Sequence, residues 1–229
     1  MLDGVHAVFL LTDGLHIAAH DRRLIAAALR AGVERIVKLS VRNVGHDTTD
    51  PITSWHRAGE EAICDSGIGW TFLRPTAFMS NALNWAGMIA AHQFVHAPFA
   101  VGRAAVVDPA DIAAVAAACL THDGHNHRVY ELTGPAPLSP PDQVAILSQV
   151  LGRELRYAET DPAGTLAQMV SYGMPEELAH AIIELFRSTV EPYNSEPTGD
   201  ITAVASRPAR GFTDWAQAHR TELLTPASW

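Results

Sequence analysis

The sequence predicts an α/β protein, a partial doubly wound parallel sheet that carries a small, mainly helical C-terminal lobe. Three observations support this. The apolar run Val5 to Leu11, interrupted only by His6 and bounded by Asp3-Gly4 and Asp13-Gly14, suits a strand covered on both faces, as parallel sheets require. Helix and strand patterns then alternate, which implies right-handed crossovers between parallel strands. From Leu138 the strand signals thin out and helical periods take over. The chain divides accordingly into residues 1–137, the α/β core, and 138–229, a helical lobe over the strand ends.

Taken in order, "HIAAHDRRLIAAALRAGV" follows the first strand, with apolar Ile17, Ala18, Leu24, Ile25, Ala28 and Leu29 on one helical face and Gly32 as its stop. "RIVKLSV" reads as a strand. A polar loop from Arg42 to Thr53 leads to Ser54, the expected N-cap of the helix "WHRAGEEAICDS". "GWTFLRP" is a third strand, stopped by Pro75. Downstream, "AFMSNALNWAGMIAAH" reads as a helix, "AAVVDP" as a short strand, and "PADIAAVAAACLT" as an Ala-rich helix with Pro109 in its first turn. "RVYELTG" is a further strand. In the lobe, "SPPDQVAILSQVLG", "PEELAHAIIELFRSTV" and "TDWAQAHRTELL" are helical, and "ELRYAE" is a short strand between the first two.

Composition narrows the function classes. With 48% hydrophobic and 18% charged residues the chain can bury a sizeable core. No apolar stretch reaches the roughly 20 residues that span a bilayer, and residues 1–12 lack the basic start of a signal peptide, so a cytoplasmic protein without membrane attachment is expected. Cys64 and Cys119 both fall in predicted helices and are expected to be buried thiols rather than a disulfide. The formal charge is −9, and no Lys/Arg cluster offers the positive face that nucleic acid demands.

A doubly wound sheet commonly holds a dinucleotide at a Gly-rich strand-to-helix turn, where backbone N–H groups meet the pyrophosphate. The G-x-G of this sequence, Gly67-Ile68-Gly69, precedes a strand instead, which is the wrong context. What remains is marked by "VFLLT" (8–12), "AGVERIVKLS" (31–40), "HRAGEEAICDSGIGWTFLRPTAFMSN" (56–81), "DPADIAAVAAACL" (108–120) and "YELTGP" (130–135). In this order and spacing they resemble the NmrA-like group of atypical short-chain dehydrogenases/reductases over essentially the entire chain. The resemblance implies a Rossmann-like core that is N-terminally truncated, with the first strand here corresponding to the fourth of those relatives. It leaves two readings, an incomplete chain or a shortened relative. Either way the strand Val5 to Leu11 becomes a sheet edge, and such an edge is expected to be covered by self-association or by the C-terminal segment.

Ser40 is expected at the C-terminal end of its strand, the ligand side of an open α/β sheet. It either meets a ligand or satisfies the turn at Val41; the resemblance implies a residue that helps place a substrate carbonyl. His56 stands where such relatives carry Lys or His, serving the nicotinamide ribose or proton delivery. With Ser54 as N-cap it lies in the first helical turn, where the positive helix end favours a neutral ring able to accept or donate a proton. The plain alternative is an ordinary helix-start histidine. Glu60, one turn on, is a solvated or internally paired acid, or a support for the ring.

By the same resemblance Pro75, Thr76, Phe78 and Asn81 line the nicotinamide and substrate side; Thr12, Ser40, His56 and Pro75 are the residues expected to touch the nicotinamide half of NAD(P)H, and Trp85, as core or pocket wall, is expected with Thr76, Phe78 and Asn81 on the substrate side. Met79 and Met88 supply apolar surface as core or pocket wall. Asp111 is expected to organise a helix start. "HDGHNH" (122–127) matches no zinc spacing and reads as a solvated loop.

The leading expectation is an NAD(P)-linked oxidoreductase relative, acting on a small carbonyl or quinone-like compound, with the phosphate site missing and cofactor binding weak or absent. The alternatives are a cofactor-independent isomerase, cyclase or lyase using His56 with Ser40, and a non-catalytic sensor acting through protein contacts. Fold alone does not choose among them.

Overall fold

Parallel pairing organises the first half of the molecule, which the computed structural model describes over residues 2–48, 50–91 and 93–225. The elements run β1 (Ala7–Leu10), α1 (Ile17–Ala31), β2 (Arg35–Leu39), α2 (Pro51–Ser66), β3 (Gly69–Pro75), α3 (Ala86–Ala91), β4 (Phe94–Ala97), α4 (Pro109–Thr121), β5 (Arg128–Leu132), α5 (Pro140–Leu151), β6 (Arg156–Glu159), α6 (Pro162–Ser171), α7 (Glu176–Arg187), α8 (Asp200–Ala205), α9 (Phe212–Ala218) and α10 (Arg220–Leu224). The main sheet has the order β1-β2-β3-β5, all parallel, with Ala7 opposite Arg35, Arg35 opposite Gly69 and Thr71 opposite Arg128. Helices pack on both faces of the sheet, as the alternation predicts.

One core joins Leu10, Ile36 and Phe72 of the sheet to Ile25 and Ala28 of α1 and Ile63 of α2. A second, on the opposite face, joins Val37, Leu73 and Leu132 to Ile112, Val115 and Cys119 of α4 and Ile201 of α8. Gly32 ends α1 as expected. Its φ of 71° is the left-handed conformation that a side chain disfavours, and its N–H reaches the carbonyls of Ala28 and Leu29.

The strand Val5 to Leu11 shortens to Ala7–Leu10 and is not covered on both faces: Leu10 is buried, but Phe9 is 36% and Leu11 58% exposed. It is the sheet's edge, with β2 on one side and, among the described residues, no strand on the other. The described part of the C-terminal segment does not cover it, since α9 and α10 pack beside α5 and α3, and residues 226–229 lie outside the described residues.

Other boundaries shift for local reasons. The N-cap of α2 is Asp50, not Ser54: the Asp50 carboxylate accepts the Thr53 N–H at 2.9 Å, with Pro51 as the first helical residue, while the Ser54 hydroxyl donates to the Asp50 carbonyl. Thr49 of the preceding loop lies outside the described residues. The helix expected over 77–92 is a 3₁₀ segment, Met79–Trp85, continued by α3, and His92 lies outside the described residues. "AAVVDP" forms only isolated bridges, Ala104 with Leu138 and Val107 with Phe78. The last helix breaks at His219 into α9 and α10. Cys119 is buried, but Cys64 is exposed, because the helix turns it away from the sheet.

The lobe has its own core, built from Met79, Ala82, Ile89, Val95, Leu147, Leu151, Phe212, Trp215 and Leu223. It therefore draws on residues from both sides of position 137. Beside it β4 and β6 form a separate two-stranded parallel sheet, with Phe94 opposite Arg156 and Ala97 opposite Glu159.

A buried ion pair fastens the first crossovers together. Lys38 of β2 donates to Asp21 Oδ2 of α1 at 2.7 Å, both side chains are 0% exposed, and Thr12, just after β1, donates to Asp21 Oδ1 at 2.6 Å. Gly59 of α2 closes over the pair, and a Cβ there would collide with the Asp21 carboxylate. Removing one partner strands a buried charge, which costs about 3–5 kcal/mol, whereas replacing both by apolar groups is often neutral or favourable. Lys38→Met is therefore expected to lower stability by about 3–5 kcal/mol in urea unfolding, and Lys38→Met with Asp21→Leu to recover most of that loss. A double variant no more stable than Lys38→Met alone contradicts this account.

Candidate active site

Ligand sites in open α/β sheets lie beyond the carboxyl ends of the strands, and two features meet that description here. The first is a cavity of about 430 Å³. Ala77, Phe78, Asn81 and Trp85, from the segment following β3, form one side of it. Phe99, after β4, and Phe186 of α7 form another, and Thr165, Gln168 and Met169 of α6 close the outside. Phe99 has φ 59°, a left-handed conformation that costs a non-glycine residue about 1–3 kcal/mol, and its ring carries the Arg187 guanidinium 5.4 Å from its centroid. No residue of α6 is buried, so this outer wall has no core of its own.

The second feature is polar. Ser40 directly follows β2, and among the described residues its buried hydroxyl has no partner; neither has the buried Nδ1 of His56 nor the buried hydroxyl of Thr53, both on α2. Buried polar atoms in native proteins are rarely left so, and those that are deserve a functional or structural explanation.

The structure thus divides the predicted site. Phe78, Asn81 and Trp85 line the cavity together with Met88, while Met79 is core. Thr76 does not line it, because the side chain turns inward and donates to the Ala105 carbonyl at 2.6 Å. Pro75 is the buried last residue of β3. Thr12 uses its hydroxyl on Asp21. Ser40 and His56 lie outside the cavity wall.

His56 stands in the second turn of α2, since the helix begins at Pro51, so the helix end is not what keeps its ring neutral. Burial lowers its pKa to about 3, with the nearby Lys38 charge acting in the same direction and Asp50 opposing. At neutral pH it is an uncharged imidazole that offers hydrogen bonds and holds no exchangeable positive charge. Glu60 does not support the ring. It takes a bidentate pair from Arg74, Nε to Oε1 at 3.0 Å and Nη2 to Oε2 at 2.6 Å. Asp111 does not cap the start of α4, which Asp108 does by accepting the Ala110 N–H; it accepts the Arg210 N–H and pairs with Arg207, tying α4 to that later segment. In the 122–127 loop His125 bonds Tyr130, and among the described residues no group of side chains could hold a metal ion.

Sequence reasoning missed the Lys38–Asp21 pair, Thr53, and the far wall of the cavity from Phe99 to Phe186. A lysine between apolar neighbours in "RIVKL" is the available signal for the pair, because strand alternation points Lys38 to the same face as Ile36.

Comparison with known proteins matches residues 1–219 to the NmrA-like family. The (4-alkanoyl-5-oxo-2,5-dihydrofuran-3-yl)methyl phosphate reductase of Streptomyces griseus is 42% identical, covering 98% of this chain and 79% of that protein. The NAD(P)H azoreductase of Xenophilus azovorans is 35% identical, covering 95% and 77%. Among solved structures, the NADPH-dependent quinone oxidoreductase of Escherichia coli in complex with NADPH superimposes with a TM-score of 0.84 at 25% identity, covering 96% of this chain and 78% of that one.

The depressed His56 pKa has a measurable sign. The ring protonates near 6.5 when unfolded and near 3 when folded, so the unfolded state binds more protons between those values. Stability is full above about pH 6.5 and falls as pH drops towards 3, by up to about 1.4 kcal/mol per pH unit from this group. Between pH 6.5 and 5, urea unfolding is expected to show this slope in the wild type and a flatter one in His56→Gln. Equal slopes contradict it.

Proposed function

The chain belongs to the NmrA-like family, and on that premise we propose that it is a reductase using a nicotinamide dinucleotide to reduce a small carbonyl or quinone-like compound held in the cavity. The observation that carries this reading is an apolar cavity opening off the segment after β3, with unpartnered Ser40 and His56 at the neighbouring strand end. Such a cavity falls within the size range of small-molecule sites, and its sparse polar groups would orient a ligand.

The bound cofactor supplies hydride. On the nicotinamide side this chain offers a fit: the Ser40 hydroxyl and the His56 imidazole are buried and free to bond the ribose or carboxamide, and Pro75 fixes the end of β3 beside them. The His56 ring acts there as a neutral hydrogen-bonding group rather than a proton shuttle. Thr12 contributes indirectly, by holding Asp21 and so Lys38. Among the described residues no strand-to-helix turn carries the Gly-rich pattern that meets a pyrophosphate; β1, which corresponds to the fourth strand of the relatives, runs into Thr12-Asp13-Gly14. We therefore assign this chain a weak hold on the cofactor. Phe78, Asn81 and Trp85 form the substrate side. The unpaired edge of β1, with exposed Phe9 and Leu11, is assigned to self-association.

The test is NADPH oxidation with 2-methyl-1,4-naphthoquinone as acceptor. Quinone-dependent oxidation is expected only at high cofactor concentration, and Trp85→Ala should lower kcat/KM about tenfold or more, equivalent to about 1.4 kcal/mol of lost binding. No quinone-dependent oxidation at any NADPH concentration would overturn the reductase reading. A tight stoichiometric NADPH complex in calorimetry would overturn the weak hold alone. Light scattering should report a dimer or larger species, and a monomer at high concentration removes the assignment for β1.

A further inference from the structure

Resting on the cavity reading above, we infer that this site selects uncharged ligands and rejects phosphorylated or otherwise anionic ones, although the 42% identical Streptomyces griseus relative is named for a phosphate ester. Among the described residues the cavity wall carries no Lys, Arg, Asp or Glu; His96 and Tyr172 are its titratable side chains. The wall is built from soft, polarisable groups, with Phe78, Trp85 and Phe99 alongside Met88, Met169 and Met174. Such a surface favours a flat π-system. A buried phosphate without a paired cation forfeits its hydration for nothing in return.

The cations nearest the wall, and the helix end that borders it, already have partners. Arg103 lies between the lining residues Gly102 and Ala104, but its guanidinium pairs with Asp142 at 3.0 Å and donates to the Pro137 carbonyl. Arg187 follows the lining residue Phe186, and it pairs with Glu184 and lies over the Phe99 ring. The N-terminus of α5 also borders the cavity, through Pro140 and Gln143, and a helix N-terminus ordinarily attracts anions. Here that position is already taken. Its first two residues are Pro140 and Pro141, which have no N–H, and its capping box places the Asp142 carboxylate on the Ser139 N–H and hydroxyl. The Glu159 carboxylate, which accepts the Ala100 N–H, adds negative charge beside the Phe99 turn. A chain of formal charge −9 repels anions at longer range as well.

The experiment measures binding without cofactor, by calorimetry of the full chain with two probes of similar ring size: 2-methyl-1,4-naphthoquinone, neutral, and 1,2-naphthoquinone-4-sulfonate, anionic. The neutral probe is expected to bind at least tenfold tighter. Gln168→Arg, which places a cation on the exposed outer wall without touching a core, is expected to narrow that ratio by raising affinity for the sulfonate. Equal or tighter binding of the sulfonate by the wild type overturns charge selection and leaves the cavity as the ligand site. Binding of neither probe overturns both. Neutral-selective binding with no NADPH-dependent reduction supports charge selection while the reductase reading falls.

Discussion

A fully buried lysine and aspartate set the terms for the rest of this molecule. Lys38 and Asp21 join β2 to α1, Thr12 brings in the end of β1, and Gly59 lets α2 approach closely enough to seal them. Dehydrated charges of this kind contribute little net stability, but they tolerate few alternative arrangements. The pair ties β2 to α1 and the end of β1, and Gly59 brings α2 directly against it. His56 inherits its properties from that placement. The burial that seals the pair also strips water from the imidazole, and the lysine charge adds to the cost of protonating it.

The resulting site has two halves with different physics. At the end of β2 lie fixed polar groups that lack partners, and beyond β3 lies an apolar space bounded by a lobe with its own core. The lobe is not an appendage joined at a linker. Its core takes Met79, Ala82 and Ile89 from the segment after β3, and its small sheet pairs β4 with β6. Cavity wall and helical core are thus made by one short segment, which turns Phe78, Asn81 and Trp85 to the cavity and Met79 into the core.

Much of this was legible in the sequence where local and global signals agree. β2 and β3 are legible at nearly their observed bounds because buried parallel strands read as apolar runs, and β5, only Leu132 of which is buried, because its short β-prone run ends at Thr133-Gly134. The stop of α1 at Gly32 was legible for the same reason. The start of α2 was misread because Asp50-Pro51 and Ser54 are both credible caps, and only the carboxylate's reach to the Thr53 N–H decides between them. The pairing of β4 with β6 was hidden, since two short strands in separate parts of the chain carry no local mark of one another. Phe78 and Asn81, assigned to the ligand side through family resemblance, line the cavity, whereas Thr76, assigned with them, turns inward. The far wall was illegible because it is assembled from loops and helices distant in sequence.

The outer wall has an evolutionary consequence. Because no residue of α6 is fully buried, and only Pro162, Thr165, Leu166 and Met169 are half-buried, its exposed positions such as Gln168 are under little packing constraint. Ligand preference on this scaffold can therefore drift without threatening folding. A fold that anchors its polar centre with a rigid ion pair and leaves its ligand-facing cover unanchored separates what must be conserved from what is free to diversify.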